Sequence, residues 1–313
     1  MKRTFIAALL FLTGISLFAQ NTVVLKLNLE KNKVYRFRST SEQAISQTMN
    51  GVQQNTAVTS VYVASIKMVE STPDFIVAEV RFDTIQTITN AMGKVTTIRS
   101  SNEGNISSSD MSDVLSCVMN RLSRNSLYVK MDYAGKVIEL INASMLSGIL
   151  LKDTASITGV TAAVTKTQVV GMVNEKALQT MTEMFTWNLP ARQVGIGDTW
   201  TLTINANSGG MLLDIITSYK LGNISGSNAG ISAESNIQTA VNATPINYGE
   251  AKVTYDDLKG IGKTEMVVNS NTGLVMESSS KTHITGNLHI SVQNTNIELP
   301  MEISSESKTI ALP

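Results

Sequence analysis

The chain has 313 residues, in which 25 lysines and arginines balance 25 aspartates and glutamates, and 16% of positions are charged. A globular chain ordinarily carries about a quarter, and sparse, balanced charge excludes the basic patch by which a protein recognises nucleic acid or an anionic membrane. The single cysteine, Cys117, excludes an intramolecular disulfide, so the fold must be held by its core.

Met1-Lys2-Arg3 makes a positive start, and Phe5 to Phe18 is an uncharged apolar run too short and wrongly flanked for a stable membrane span. This is the pattern of a secretory signal over residues 1–19, with the cut expected after Ala19 and Gln20 left as the new N-terminus. Cys117 lies far downstream of that cut, so the expected product has no N-terminal lipid anchor and works in the periplasm or beyond it. No later apolar stretch is long enough for a transmembrane segment. About 290 residues then remain, enough for a sizeable core. They read as one β-rich α+β domain over 20–313, with strands over 22–100, mainly helix over 109–188 and strands over 198–310.

Leu25, Leu27 and Leu29 alternate with polar residues, and after a turn over Lys31 to Lys33 the alternation resumes at Tyr35 and Phe37. Tyr62, Ala64, Ile66 and Met68 share a face, Ser71-Thr72-Pro73-Asp74 turns the chain, and Ile76, Ala78, Val80 and Phe82 share the next one. The period then changes. Met111, Val114, Leu115, Val118, Met119 and Leu122 form a helical stripe behind N-cap residues at Ser107 to Asp110. A short strand pair surrounds Tyr133-Ala134-Gly135-Lys136, and helices are predicted over Ala143 to Leu151 and Thr165 to Trp187, the latter stopped by Pro190. Strands return at Leu212 to Lys220, Ala229 to Val241, Met266 to Val268, Leu274 to Ser280 and Thr282 to Val292, with a turn at Asn271-Thr272-Gly273. Because βαβ alternation is absent, this order predicts one large, curved, half-barrel-like antiparallel sheet packed on a central group of helices.

Pro190, Val194, Gly195 and Gly197-Asp198-Thr199-Trp200, followed by Leu258, Gly260, Gly262 and Asn271-Thr272-Gly273-Leu274, resemble an uncharacterised family of exported Bacteroidota proteins. Leu25-Lys26-Leu27, Lys33-Val34-Tyr35 and Met49-Asn50-Gly51 fit the same pattern. The resemblance implies no catalytic residues. It implies a fold similar to lipoprotein-carrier half-barrels, in which a curved sheet wraps around helices and can enclose a lipid.

No local constellation carries catalysis. His283 and His289 fall on the polar face of a strand, roughly 20 Å apart at a rise near 3.3 Å per residue, too far to share a metal. Cys117 sits in the amphipathic helix as a buried thiol. Gly260-Ile261-Gly262-Lys263-Thr264 ends like a phosphate loop, but Asp257 stands where its first glycine belongs and a strand follows. Asp256 and Asp257 are adjacent and point apart. Neither a metal nor a cofactor is implied. Asp83-Thr84-Ile85 and Asp153-Thr154-Ala155 resemble the Bacteroidota O-glycosylation acceptor pattern, which makes Thr84 and Thr154 candidates.

Fifteen methionines are present, and Met172, Met181 and Met184 gather with Phe185 on the middle helix, where such adaptable side chains suit an apolar ligand as well as a core. With Trp187 and Trp200 they are the candidate ligand-lining set. The leading expectation is an exported, non-enzymatic protein that binds a lipid or other apolar small molecule between sheet and helices. An envelope protein-interaction or structural module is the alternative, with a hydrolase behind both.

Overall fold

The computed structural model describes residues 22–313 apart from 50, 160, 209, 210, 249, 256 and 294. The expected signal segment with its Ala19/Gln20 junction, and Asp256, lie outside the described residues.

The chain begins with β1 (Thr22–Leu25), β2 (Val34–Met49), β3 (Val52–Ser71), β4 (Ile76–Ala91) and β5 (Lys94–Arg99). Helix α1 (Met111–Ser123), hairpin strands β6 (Leu127–Met131) and β7 (Val137–Leu140), then α2 (Ala143–Leu150), α3 (Ala162–Val173) and α4 (Glu175–Thr186) make the middle. The rest is β8 (Arg192–Gly195), β9 (Thr199–Ser208), β10 (Met211–Ser225), β11 (Asn228–Thr239), β12 (Ile246–Tyr248), β13 (Ala251–Thr254), β14 (Lys259–Asn269), β15 (Leu274–Val292) and β16 (Thr295–Leu312).

Fourteen strands form one antiparallel sheet whose spine runs β7-β6-β4-β3-β2-β16-β15-β14-β11-β10-β9, with β5 added to β4 and the β12–β13 ribbon to β15. β1 and β8 pair separately. The two sequence halves of the sheet meet where β2 pairs with β16, from Arg36 opposite Leu312 to Gln47 opposite Met301. Helix α4 packs against both β7 and β9, the terminal strands of the spine, and also against β15. One helix reaches both ends of an eleven-strand path only if that path curves around it, and this is the predicted half-barrel arrangement.

Local chemistry places the helices. Asp110 caps α1 by accepting from the Ser112 N–H at 2.9 Å, and the buried stripe Val114, Leu115, Val118, Met119 and Leu122 packs on β4 and β5. The helix predicted over Thr165 to Trp187 is two helices. Asn174 is extended at φ −66° and ψ 164°, and its Oδ1 accepts from the Ala177 N–H at 2.8 Å, so an asparagine ends α3 and caps α4. The strands predicted on either side of Lys281 are one strand, because Lys281 stays in register with Lys263 on β14 and Glu306 on β16 and its ammonium meets Glu306 at 2.7 Å.

The inward face of the sheet is banded. Along β2 it reads Phe37, Ser39, Ser41, Gln43, Ile45; along β16, Ala311, Thr309, Ser307, Ser305, Ile303; along β15, Ser278, Ser280, Thr282, Ile284. The first band joins the large core that the helices share with the sheet. The last belongs to a second cluster of Leu213, Ile237, Tyr255, Leu258, Ile284, Met301 and Ile303. Between them lies a belt of small hydroxyl side chains.

Candidate functional site

The C-terminal turn of α4 is fixed to the turn between β6 and β7. Thr186 Oγ1 donates to the Gly135 carbonyl at 2.6 Å, and Glu183 Oε1 accepts from the Val137 N–H at 3.0 Å and from Gln179 Nε2 at 2.9 Å. Gly135 has φ +90°, and a Cβ there would stand 2.0 Å from the Thr186 carbonyl oxygen, so only glycine permits this approach.

Between that helix end and the hydroxyl belt is a cavity of about 270 Å³. Its helix side presents Glu183, Met184, Phe185, Trp187 and Asn188; its sheet side presents Phe37, Tyr62 and Tyr219 together with serines and threonines. The space exists because inward positions that carry Ile, Leu or Phe elsewhere carry Ser39, Ser41, Ser280, Ser307, Thr264 and Thr217 here. Many hydroxyls are paired across neighbouring strands: Thr309 with Ser39 at 3.1 Å, Thr264 with Ser280 at 2.9 Å, Thr217 with Ser235 at 2.8 Å.

Two of the lining residues, Glu183 and Asn188, each hold one buried side-chain oxygen, Oε2 and Oδ1, without a hydrogen-bond partner among the described residues. The residues are 2% and 7% exposed. Buried polar atoms are paired in nine cases of ten or more, and these two lie on residues of one cavity. Burial raises the Glu183 carboxyl above the ordinary carboxylate range, against the pull of its bonds from Gln179 and Val137 and the more distant Lys176 and Lys136. On the sheet side, burial pushes the Tyr219 phenol up to about 12, partly offset by hydrogen bonding with Thr217.

Of the six residues singled out from sequence, Met184, Phe185 and Trp187 line the cavity. Phe185 is buried, 6.0 Å from Phe37 between ring centroids, while Met184 is 48% exposed and so stands at the rim. Trp200 lies behind the wall: it stacks on Tyr219 at 5.4 Å and its Nε1 donates to the Asn188 carbonyl at 3.2 Å. Met172 and Met181 are half-buried against the main core and do not line the cavity. Sequence reading missed Glu183, Asn188 and the hydroxyl belt. The belt had a signal, since Ser278-x-Ser280-x-Thr282 and Ser305-x-Ser307-x-Thr309 occupy the parity that carries apolar residues on both sides.

Elsewhere, His283 is exposed beside Ser304, and Cys117 is buried. Asp257 accepts from the Asn287 N–H at 2.9 Å, and Gly260 to Thr264 lie within β14. Thr84 is half-buried in β4 opposite Val63, and the Thr154 hydroxyl donates to the Leu151 carbonyl at 2.9 Å. The buried carboxylates among the described residues are Glu79 and Glu183. Glu79 is held by Lys67, Arg81 and Ser126, and of the two only Glu183 lines the cavity. No described helix is long and apolar enough to cross a membrane.

A sequence profile for a family of unknown function, DUF6263, matches residues 74–275. The chain belongs to this family. The DUF6263 match takes in α4, Glu183, Trp187, Asn188 and Trp200, while β2 and β16, which supply Phe37 and much of the hydroxyl belt, fall outside it. No curated protein sequence matches the chain. Among solved structures it is similar to lipovitellin, in a structure describing lipid–protein interactions, at 10% identity and a TM-score of 0.46 over 91% of this chain and 26% of that one. The chain therefore spans well under half of lipovitellin's length. It is also similar to an outer membrane channel from Pseudomonas putida F1, at 6% identity and a TM-score of 0.26 over 91% and 97% of the two chains. The outer membrane protein OprG from Pseudomonas aeruginosa matches at 5% identity and a TM-score of 0.23 over 91% and 99%.

Proposed function

We propose that this protein is an exported carrier that binds a lipid or other apolar molecule between α4 and the curved sheet, and works in the periplasm or beyond. The supporting observation is the cavity under α4, set within what is otherwise a packed core. This space of about 270 Å³ opens past Met184. Larger apolar residues at Ser280, Ser307 or Thr264 would fill it, and the second cluster shows that the same strands accommodate such residues a few positions further on. Small side chains stand opposite Phe185, Trp187 and Met184 of α4 and its end, which together form a lining suited to an apolar ligand. The volume is close to the lower end of small-molecule sites and equals roughly nine water-sized volumes, enough for a head group and the first methylenes of a chain that leaves past the rim at Met184.

Organic extraction and mass spectrometry of the protein purified gently from its native host tests this reading. The expected result is one class of apolar molecule recovered in near-stoichiometric amount, and its loss in Ser280→Phe, which fills the cavity from the sheet side. Recovery of no apolar molecule, with no thermal shift on adding medium-chain probes, would overturn it.

A further inference from the structure

Resting on the carrier reading, we infer that the cavity selects a cationic ligand: an apolar amine, with one ammonium group on an aliphatic body. Both unpartnered buried atoms, Glu183 Oε2 and Asn188 Oδ1, are acceptors when the carboxyl is ionised, so the group that satisfies them must donate. The lining contains no lysine, arginine or histidine, and Glu183 is its only acidic residue. An anionic head would therefore meet a carboxylate with no cation to balance it.

Helix polarity points the same way. Glu183 lies in the last turn of α4, where the helix end is partially negative and a carboxylate is unfavourable, and that turn contains no basic residue. A cation placed there gains from the carboxylate, the helix end and the aromatic faces of Phe37, Tyr62 and Tyr219 together. Trp187 already draws a cation to one face, with Lys136 Nζ 5.0 Å from the ring centroid. That lysine does not line the cavity, and its charge acts on Glu183 less than the hydrogen bonds from Gln179 and Val137 do. Burial holds the Glu183 carboxyl toward its neutral form, and an ammonium seated beside Oε2 would favour its ionised form.

Octylamine, octanol and octanoate form a matched set of probes that the cavity can seat. Their binding to the wild-type protein at pH 7 is read by calorimetry and by the fluorescence of Trp187 at the rim. A charge-assisted hydrogen bond within such a site corresponds to about a tenfold preference or more, so octylamine is expected to bind at least about tenfold more tightly than octanol, with octanoate weakest. Glu183→Gln keeps an oxygen to accept from the Val137 N–H and removes the charge. It is expected to abolish the preference, octylamine then binding no more tightly than octanol in the same variant, with near-ultraviolet circular dichroism reporting that the fold is intact. If octanol or octanoate binds wild type as tightly as octylamine, the selection for a cation is wrong while the carrier reading stands. Binding of none of the three overturns both. Should Glu183→Gln fail to fold, the wild-type comparison decides alone.

Discussion

Asn188→Leu separates a binding residue from a structural one. The Asn188 Oδ1 is buried without a partner, and relieving one such atom recovers about 1–3 kcal/mol of desolvation. The added bulk of leucine has the 270 Å³ cavity to enter, and the backbone carbonyl that accepts from Trp200 Nε1 is unchanged. With some loss for imperfect packing, the ligand-free variant is expected to be more stable than wild type by about 1–2 kcal/mol, a rise of roughly 2–6 °C in Tm. Ligand reverses the order. At one hundred times its dissociation constant a ligand stabilises wild type by about 2.7 kcal/mol, and the variant, lacking the acceptor and part of the space, gains little. Differential scanning calorimetry of both proteins, delipidated and then titrated with octylamine, shows the two midpoints crossing. A ligand-free variant less stable than wild type by more than about 1 kcal/mol would refute the reasoning, because the amide would then be holding the fold.

Other expectations follow from the same geometry. Glu79 has its carboxyl lowered to about 2, chiefly by Lys67 and Ser126, so its contribution is present above the unfolded value near 4.5 and is lost as pH falls through about 2. Allowing for screening at the partly exposed Lys67 and Arg81, Glu79→Gln should cost about 1–2 kcal/mol at neutral pH and flatten urea midpoints across that acid window. Glu183 has the opposite sign: its raised carboxyl contributes stability below the unfolded value near 4.5 that is lost as pH rises through the folded one, and Glu183→Gln should remove that slope in the same titration. Gly135→Ala places a Cβ 2.0 Å from the Thr186 carbonyl oxygen at a positive φ. It should cost about 2 kcal/mol or more in denaturant unfolding and weaken octylamine binding by moving the end of α4.

The sheet was legible because half-buried strands write a period of two, as in Ile76-Ala78-Val80-Phe82, and α1 because Asp110 caps a continuous apolar stripe. The break at Asn174 was hidden by its neighbours: apolar residues on both sides continue a helical spacing, and only an asparagine turning back to the Ala177 N–H divides them. Met184, Phe185 and Trp187 were legible only as apolar residues of a helix and its end, because a cavity wall and a core wall have the same composition. Glu183 was not, because its meaning lies in what it lacks. The Val137 N–H that holds one of its oxygens comes from the far side of three helical segments, and the absence of any partner for the other is visible only once the chain is folded.

The pairing of β2 with β16 is the seam on which the continuity of the sheet depends. β2 and β16 are far apart in sequence, so until they meet each leaves an unpaired edge rich in backbone donors and acceptors. Contacts of such long sequence separation form slowly, typically in milliseconds to seconds. Loss of Thr295–Leu312 would not trim the periphery but divide the sheet at its middle, exposing one edge on β2 and another on β15 and opening the hydroxyl belt.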